Sequence, residues 1–267
     1  MLVIKLVAAD MDGTLLDSRK RLSPRLFPVI HALRARGVRF AAASGRQYYN
    51  LLQNFAGFED EMLFISENGA MVFDGRKPLY TCEIPAADLA APVKLVRALP
   101  GAHVILCGAK SAYLEDGDPV FNENAGMYYA RLQRVPDVLA AAEQDVICKV
   151  AVFQHRSAER TAYPALAPCA ARFQVVLSGD SWVDLMVPGT NKGGAMRQIQ
   201  QRLHITPDEC MAFGDYLNDC ELMQAVTHSY AMANAHPGLR RLCRYEAPSN
   251  DEDGVTQVLL REFGLPG

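Results

Sequence analysis

Short apolar runs that end abruptly in small polar or acidic residues recur along the chain. These runs cover residues 2–9, 38–43, 62–65 and 210–213. Apart from Lys5 and Arg39 these runs are apolar, and apolar runs of this length are typical of strands that are buried on both faces of a parallel sheet. The pattern therefore predicts core strands with polar side chains gathered at their carboxyl ends.

Helical patterns lie between several of these runs. A first helix is predicted to follow Ser23 as its N-cap, with Pro24 at the first helical position and Gly37 as the stop signal. Its apolar residues recur at helical spacing: Leu26, Val29, Ile30 and Leu33. A second helix is predicted after Gly193. Alternating strands and helices indicate an α/β fold with a doubly wound parallel sheet, in which ligands bind at the carboxyl ends of the strands.

The middle of the chain has a different pattern. A helical stretch at residues 87–99 precedes strand-like segments, which are separated by turn signals at 116–119 and 178–180. The segments are residues 103–107, 112–115, 147–153, 173–177 and 182–186. We therefore predict a core built from residues 1–83 and 187–267, with an α+β domain of residues 84–186 inserted into it.

The composition of the chain is typical of a globular protein and disfavours several other classes of protein. The 267 residues are 50% hydrophobic and 21% charged, as in an ordinary globular protein, and the net charge is −3. A nucleic-acid partner is not expected without a basic excess. Seven cysteines without a CxxC spacing favour reduced thiols over a zinc site or a disulfide framework. No apolar run reaches the length of a membrane span, and the first strand does not resemble a signal peptide. We expect a cytoplasmic protein with no obligate protein partner.

Two aspartates, Asp10 and Asp12, follow the first apolar run, and Gly13 gives the backbone freedom to turn there. Such a pair is often a simple turn or helix cap. A calcium loop fails on spacing, because its glycine and glutamate positions are occupied by Leu15 and Arg21.

Polar residues after the other runs add the parts of a phosphoryl-transfer site. Asp215 and Asp219 supply hard oxygen ligands that suit Mg²⁺ beside a phosphate. Lys192, by itself most simply a surface lysine, opens a helix, whose N-terminus also favours anions. Ser44 and Gly45 offer a hydroxyl and a backbone N–H to phosphoryl oxygens. A nucleophile, a metal and such donors are what phosphoryl transfer requires.

Other catalytic motifs are missing from the sequence. It has no GxxxxGK, GxSxG or GxGxxG, and its six histidines show no metal-ligand spacing. P-loop, serine-hydrolase and dinucleotide chemistry are therefore not expected.

Four motifs resemble, in order, those of the haloacid dehalogenase (HAD) superfamily: residues 10–15 (DMDGTL), 44–46 (SGR), Lys192 and 214–219 (GDYLND). Residues 66–70, 191–195, 232–235 and 253–255 are similar to the Cof-type, class IIB branch, whose cap domain lies between the second and third motifs. The resemblance implies that residues 84–186 form a cap that selects the substrate.

The resemblance also implies a role for each matched residue. Asp10 would be the nucleophile that becomes an aspartyl phosphate, and Asp12 the acid that protonates the leaving oxygen and then activates water. Mg²⁺ would be held by the Asp10 side chain, the Asp12 backbone carbonyl, Asp215 and, through water, Asp219. The expected phosphate- and substrate-binding residues are Ser44, Gly45, Arg46, Lys192, Asn218 and Asn234.

The expected activity is Mg²⁺-dependent hydrolysis of small phosphorylated metabolites. Sugar phosphates are favoured, with flavin or nucleotide phosphates next. A phosphomutase or phosphotransferase would share the first half-reaction. A phospho-aspartate signalling module is disfavoured because it usually lacks the second aspartate, and a catalytically silent metal-binding scaffold is disfavoured by the complete set of motifs.

Overall fold

The computed structural model describes residues 4–115, 117–155 and 158–266. The chain forms two compact units. One comprises Met1–Tyr80 and Asn191–Gly267, and the other is the continuous segment Thr81–Thr190. The second unit is slightly wider than the predicted insertion of residues 84–186.

The strands, in chain order, are β1 (Leu6–Asp10), β2 (Arg39–Ala43), β3 (Met62–Ser66), β4 (Met71–Asp74), β5 (Lys77–Thr81), β6 (Ala102–Gly108), β7 (Ala112–Leu114), β8 (Leu132–Arg134), β9 (Ile147–Gln154), β10 (Gln174–Gly179), β11 (Trp182–Met186), β12 (Cys210–Gly214), β13 (His228–Met232) and β14 (Tyr245–Ala247).

The α-helices are α1 (Leu26–Ala35), α2 (Tyr48–Asn54), α3 (Ala86–Ala98), α4 (Pro119–Tyr128), α5 (Val138–Ala142), α6 (Ala162–Ala165), α7 (Lys192–Leu203), α8 (Cys220–Gln224), α9 (Pro237–Arg240) and α10 (Gly254–Phe263). Short 3-10 helices cover Glu59–Glu61, Glu67–Gly69, Ala167–Ala171, Pro207–Glu209, Leu217–Asp219 and Asn250–Glu252. None of the helices in the described ranges combines the length and apolar character that a membrane span requires.

An eight-stranded sheet forms the centre of the first unit, in the order β14-β13-β12-β1-β2-β3-β4-β5. The strands from β14 to β3 are parallel, and β4 turns back antiparallel to β3. The register pairs Asp10 with Ala43, and Ala9 with Phe213. The residues that follow β1, β2 and β12 therefore lie at one edge of the sheet. The predicted α/β class with a parallel sheet is confirmed, although Leu2 and Val3 of the first predicted strand lie outside the described residues.

Helix α1 buries the face that the sequence predicts, since Leu26, Val29, Ile30 and Leu33 are all buried. The predicted N-cap at Ser23 is wrong, because the helix begins at Leu26 after Arg25. The Ser23 hydroxyl instead donates to the Asp253 carboxylate at 2.8 Å.

A six-stranded sheet forms the second unit, in the order β10-β11-β9-β6-β7-β8. Its pairs are antiparallel except for β7 and β8, which are parallel. Apolar residues of α3 such as Leu89 and Val93 pack in one buried cluster with Val104, Val150 and Val152. This arrangement gives the segment its own hydrophobic core.

Helix α4 is a difference between the sequence prediction and the structure of the second unit. The sequence suggests a turn at 116–119, of which Asp116 lies outside the described residues. In the structure the Asp118 carboxylate accepts a hydrogen bond from the N–H of Phe121, and Pro119 opens the helix. An Asp–Pro pair can mark either a turn or the start of a helix, so the pair alone does not distinguish between these two structures.

Candidate active site

Asp10 is the last residue of β1 and is buried at the carboxyl edge of the parallel sheet. Its Oδ1 accepts a hydrogen bond from the ammonium group of Lys192. Burial raises the pKa of Asp10 to about 8, against the lowering effect of Lys192. The charges of Asp219 and Asp215 contribute to this rise. Asp10 is thus a desolvated carboxylate in contact with one cation and close to other acids.

Lys192 is the first residue of α7, and its side chain is only 1% exposed. The N-cap Asn191 fixes the start of the helix, since its side-chain oxygen accepts from the N–H of Gly194 at 2.7 Å. The ammonium donates to Asp10 and also to Asp219 Oδ1 at 2.7 Å. Burial lowers the pKa of Lys192, but the two carboxylates together raise it above its ordinary value. Lys192 therefore stays a cation between them.

Asp219 is fully buried and has partners on both carboxylate oxygens. Oδ1 accepts from Lys192, and Oδ2 accepts from the backbone N–H of Asp215 at 3.2 Å. The close approach requires glycine at position 214, because a Cβ there would lie 2.6 Å from Asp219 Oδ2. Asp219 consequently holds Lys192 and the loop after β12 in place.

Oxygen atoms from Asp10, Asp215 and Asp219 lie within 4.8 Å of one another. Burial, together with the charge of Asp219, raises the pKa of Asp215 to about 6. The three carboxylates have one ammonium group, that of Lys192, to balance them. Hard oxygen donors with unbalanced negative charge suit a small divalent cation, so this cluster could hold a metal.

Gly13 brings the loop after β1 against Asp215. It has a φ of +81°, and a Cβ at this position would lie 2.3 Å from Asp215 Oδ2. The neighbouring Thr14 hydroxyl donates to Asp215 Oδ1 at 3.3 Å. Because glycine has no side chain, Gly13 allows the loop after β1 to pack closely against Asp215.

Asp12 is bound by two cations. Arg46 donates from Nε to Oδ2 at 2.9 Å and from Nη2 to Oδ1 at 2.7 Å. Lys20 Nζ donates to Oδ1 at 2.8 Å. Burial alone would raise the pKa of Asp12, but the hydrogen bonds and charges of Arg46 and Lys20 hold it below its ordinary value. In this arrangement the Asp12 side chain is an ionised carboxylate.

A tight turn formed by residues 17–21 carries Lys20. The backbone of Lys20 has a φ of +61°, which lies in the left-handed region. The turn is closed by the Asp17 side chain, whose Oδ1 accepts from the N–H groups of Arg19 and Arg21. A left-handed conformation costs a non-glycine residue about 1–2 kcal/mol. An exposed ion pair such as Lys20–Asp12 contributes about 0.2–1 kcal/mol, so the pair alone does not account for this conformation.

Ser44 and Gly45 follow β2 at the same edge of the sheet. Ser44 is buried, and its Oγ accepts from the N–H of Arg46 at 3.1 Å. The backbone N–H of Asn68 donates to the Ser44 carbonyl at 3.0 Å. A Cβ at Gly45 would lie 2.9 Å from Asn68 Oδ1, so the turn after β3 packs directly on this loop.

Within the described residues, the side chains of two candidate residues make no hydrogen bond to the carboxylates of this group. The Asn218 side chain is exposed and makes no hydrogen bond within the described ranges. The Asn234 side chain is used structurally, since it donates to the Gly13 carbonyl at 2.8 Å and accepts from the N–H of Asn250 at 3.1 Å.

The motif analysis did not single out Thr14, Lys20 or Asn68 as individual site residues. Thr14 and Asn68 lie inside the quoted motifs, so their positions next to Asp12 and Ser66 were an available signal. Lys20 lies in a polar stretch, RKR, that gives no indication of which cation turns back towards Asp12. Only the geometry of the turn distinguishes it.

Known proteins with similar sequences point to the same superfamily as the four motifs. Residues 7–259 match the family described as haloacid dehalogenase-like hydrolases. The 5-amino-6-(5-phospho-D-ribitylamino)uracil phosphatase YbjI of Escherichia coli (strain K12) is 33% identical over 259 residues, which cover 96% of this chain and 95% of that protein.

Solved structures agree in fold. SMU.1108c from Streptococcus mutans UA159 is 28% identical, with a TM-score of 0.83 over 98% of this chain and 99% of the other. The HAD subclass IIB sugar phosphatase BT4131 is 20% identical, with a TM-score of 0.79 over 98% of this chain and all (100%) of the other. At that identity the second likeness shows the fold alone.

The resemblance first seen in four short motifs is thereby confirmed over nearly the whole sequence. The chain belongs to the haloacid dehalogenase-like hydrolase family.

Proposed function

We propose that this phosphatase hydrolyses small phosphorylated metabolites through a phosphoryl group carried on Asp10, with Mg²⁺ as the cofactor. The observation that carries the proposal is the buried contact of Lys192 with Asp10 and Asp219, with Asp215 beside them. Lys192 favours the ionised form of the desolvated Asp10 carboxyl group, and a carboxylate in this position is a suitable in-line nucleophile.

The residues divide the reaction into two steps. In the first, an Asp10 carboxylate oxygen bonds to phosphorus, the ester P–O bond breaks, and Asp12 gives a proton to the leaving oxygen. In the second, Asp12 takes a proton from water, whose oxygen attacks phosphorus and frees Asp10. Lys192, the Ser44 hydroxyl and the Gly45 N–H would stabilise the charge on the other phosphoryl oxygens.

The candidate metal ligands are the Asp10 and Asp215 side chains and the Asp12 backbone carbonyl, with Asp219 acting through water. When bound there, Mg²⁺ would offset the charge of the carboxylates and orient the phosphate. The partners that Asp219 already has on both oxygens favour its indirect role.

Sugar phosphates remain the first substrate class to test. The E. coli relative is named for a phosphate ester on a ribityl chain attached to a uracil ring, which adds phosphates of ribitylamino-uracils to the panel. We assign the choice of substrate to the cap of residues 84–186, which corresponds closely to the second compact unit.

The test is phosphate release from a panel of sugar phosphates, flavin and nucleotide phosphates and p-nitrophenyl phosphate, with Mg²⁺ or with EDTA. We expect release that requires the metal and differs among the esters. Absence of release from every ester by folded, Mg²⁺-loaded protein would reject hydrolysis. Transfer of the phosphoryl group to added sugar without free phosphate would indicate a phosphotransferase instead.

A further inference from the structure

We propose that Lys20 binds an anionic group, a second phosphate or a carboxylate, in the leaving-group part of the substrate. This inference deepens the proposed function and rests on its assignment of Asp12 to the leaving oxygen. It concerns a residue outside all four motifs.

Lys20 is a surplus cation at Asp12. Arg46 alone satisfies both carboxylate oxygens of Asp12 by a two-point contact and balances its single charge. The ammonium of Lys20 adds a second positive charge, 2.8 Å from Oδ1. The group of three therefore has a net positive charge, whereas the neighbouring cluster of Asp10, Asp215 and Asp219 is negative.

The ammonium is also available to a ligand. The Lys20 side chain is 65% exposed, compared with 39% for Asp12. A lysine has three N–H donors, and among the described residues Lys20 uses one of them, in the contact with Asp12. Asp12 is proposed to protonate the leaving oxygen of the substrate. A leaving group bound beside Asp12 would therefore lie close to the remaining N–H donors of Lys20.

The turn fixes where this cation points. Asp17 binds the backbone on both sides of Lys20 and also pairs with Arg21, whose Nη2 lies 2.8 Å from Asp17 Oδ2. The backbone of Lys20 is held in a left-handed conformation whose strain its ion pair does not offset. Strain of this kind is commonly kept at functional sites, where it preorganises a side chain.

The experiment compares matched substrates that differ in one anionic group: fructose 1,6-bisphosphate against fructose 6-phosphate, and 3-phosphoglycerate against glycerol 3-phosphate. In Lys20→Gln we expect kcat/KM for the substrate with the extra anion to fall about tenfold or more, mainly through KM. Any change that Lys20→Gln makes through the pKa of Asp12 is shared by the partner substrate, so the ratio of the two kcat/KM values within each pair isolates the contact with the extra anion. Lys20→Arg should recover most of the loss. The two pairs distinguish a phosphate from a carboxylate.

Arg19→Gln is the matched control, because it removes the same charge from the adjacent residue, whose side chain makes no hydrogen bond or ion pair within the described part of the chain. An equal loss for both members of each pair, or the same loss in Arg19→Gln, would overturn the role of Lys20 and leave the phosphatase activity standing.

Binding separates this inference from the proposed function. In Asp10→Asn, calorimetric titration with 3-phosphoglycerate and glycerol 3-phosphate does not depend on turnover. We expect Lys20→Gln in this background to weaken the former about tenfold and leave the latter unchanged. Equal affinities with and without Lys20 would reject the inference, even if the wild-type protein hydrolysed neither ester.

Discussion

Arg46 binds both carboxylate oxygens of Asp12, with Nε 2.9 Å from Oδ2 and Nη2 2.7 Å from Oδ1. Together with Lys20, it holds the pKa of Asp12 below the ordinary value. An acid that protonates a leaving group near neutral pH works best with a pKa near that pH. The two-point contact must therefore loosen, or be shared with substrate, when Asp12 gives up its proton.

Arg46→Gln should move the alkaline limb of the kcat pH profile, measured at saturating substrate, to higher pH, because kcat reports the acid in the enzyme–substrate complex. Removing the cation raises the pKa of Asp12, so the protonated acid persists to higher pH, by about one unit for the loss of one close charge. The measurement is phosphate release across pH 5–9 with saturating Mg²⁺. Arg76→Gln removes an exposed arginine that pairs with Glu59, and it should leave the limb in place. An unchanged limb in Arg46→Gln would contradict the assignment of Asp12 as the acid.

Asp10→Asn should lower turnover at least about 10³-fold, because the amide cannot serve as the nucleophile. The fold should survive, since the substitution removes a negative charge from a cluster with too few cations. Thermal unfolding and phosphate release measure the two effects. Glu143→Gln, which neutralises an acid of the second unit, should change neither. Turnover preserved in Asp10→Asn would rule out an aspartyl phosphate at this position.

Much of the fold is readable from local pattern. The strands β1, β2, β3 and β12 are mostly apolar, so their hydrophobicity marks them in the sequence. The register then places the residues that follow them at one edge of the sheet. The short, half-exposed strand β8 carries no comparable signal, and the hydroxyl of Ser23, the predicted N-cap of α1, donates instead to the distant residue Asp253. Long-range partners of this kind are not visible in a local window.

The candidate site shows the same limit. The positions of Asp10 and Asp215 at strand ends predict that they lie at the same edge of the sheet. The resemblance to the HAD motifs predicts that Lys192 lies beside them. The motif does not reveal that Arg46 contacts Asp12, because residues 34 positions apart are joined only by the folded sheet. The orientation of Lys20 depends on a turn that is closed by one side chain, Asp17.

Mg²⁺ should stabilise the protein more at pH 8 than at pH 5. The pKa of Asp215 rises from 3.8 to about 6 on folding, and that of Asp10 rises from 3.8 to about 8. Between the unfolded pKa and the folded pKa of each group, the folded chain holds more protons than the unfolded chain. These two groups therefore lower the stability of the metal-free protein as pH rises from about 4 to about 8. A bound cation offsets the charges that appear over that range.

The measurement is the difference in Tm with and without Mg²⁺ at each pH, because this difference cancels titration elsewhere in the chain. At a hundred times Kd and pH 8 we expect an increase of about 5–10 °C, falling towards zero at pH 5. Asp215→Asn should reduce both the increase and its pH dependence. An increase in Tm that is independent of pH, or equal in Asp215→Asn, would show that the cation binds away from this cluster.

Gly13→Ala should damage the site through a single methyl group. Its Cβ would lie 2.3 Å from Asp215 Oδ2, so the carboxylate must move, and a displacement of about 1 Å at a catalytic site can cost about 10²-fold in rate. Gly37→Ala is the matched control, because Gly37 has a φ of +78° against +81° for Gly13 and has no described atom within 4 Å of its added Cβ. Both variants should lose about 1–2 kcal/mol of unfolding free energy from the left-handed backbone. Only Gly13→Ala should lose phosphate release and Mg²⁺ affinity, which kinetics and metal titration would measure. Equal activity in the two variants would mean that Asp215 does not need this position, and the metal site would have to be assigned to other residues.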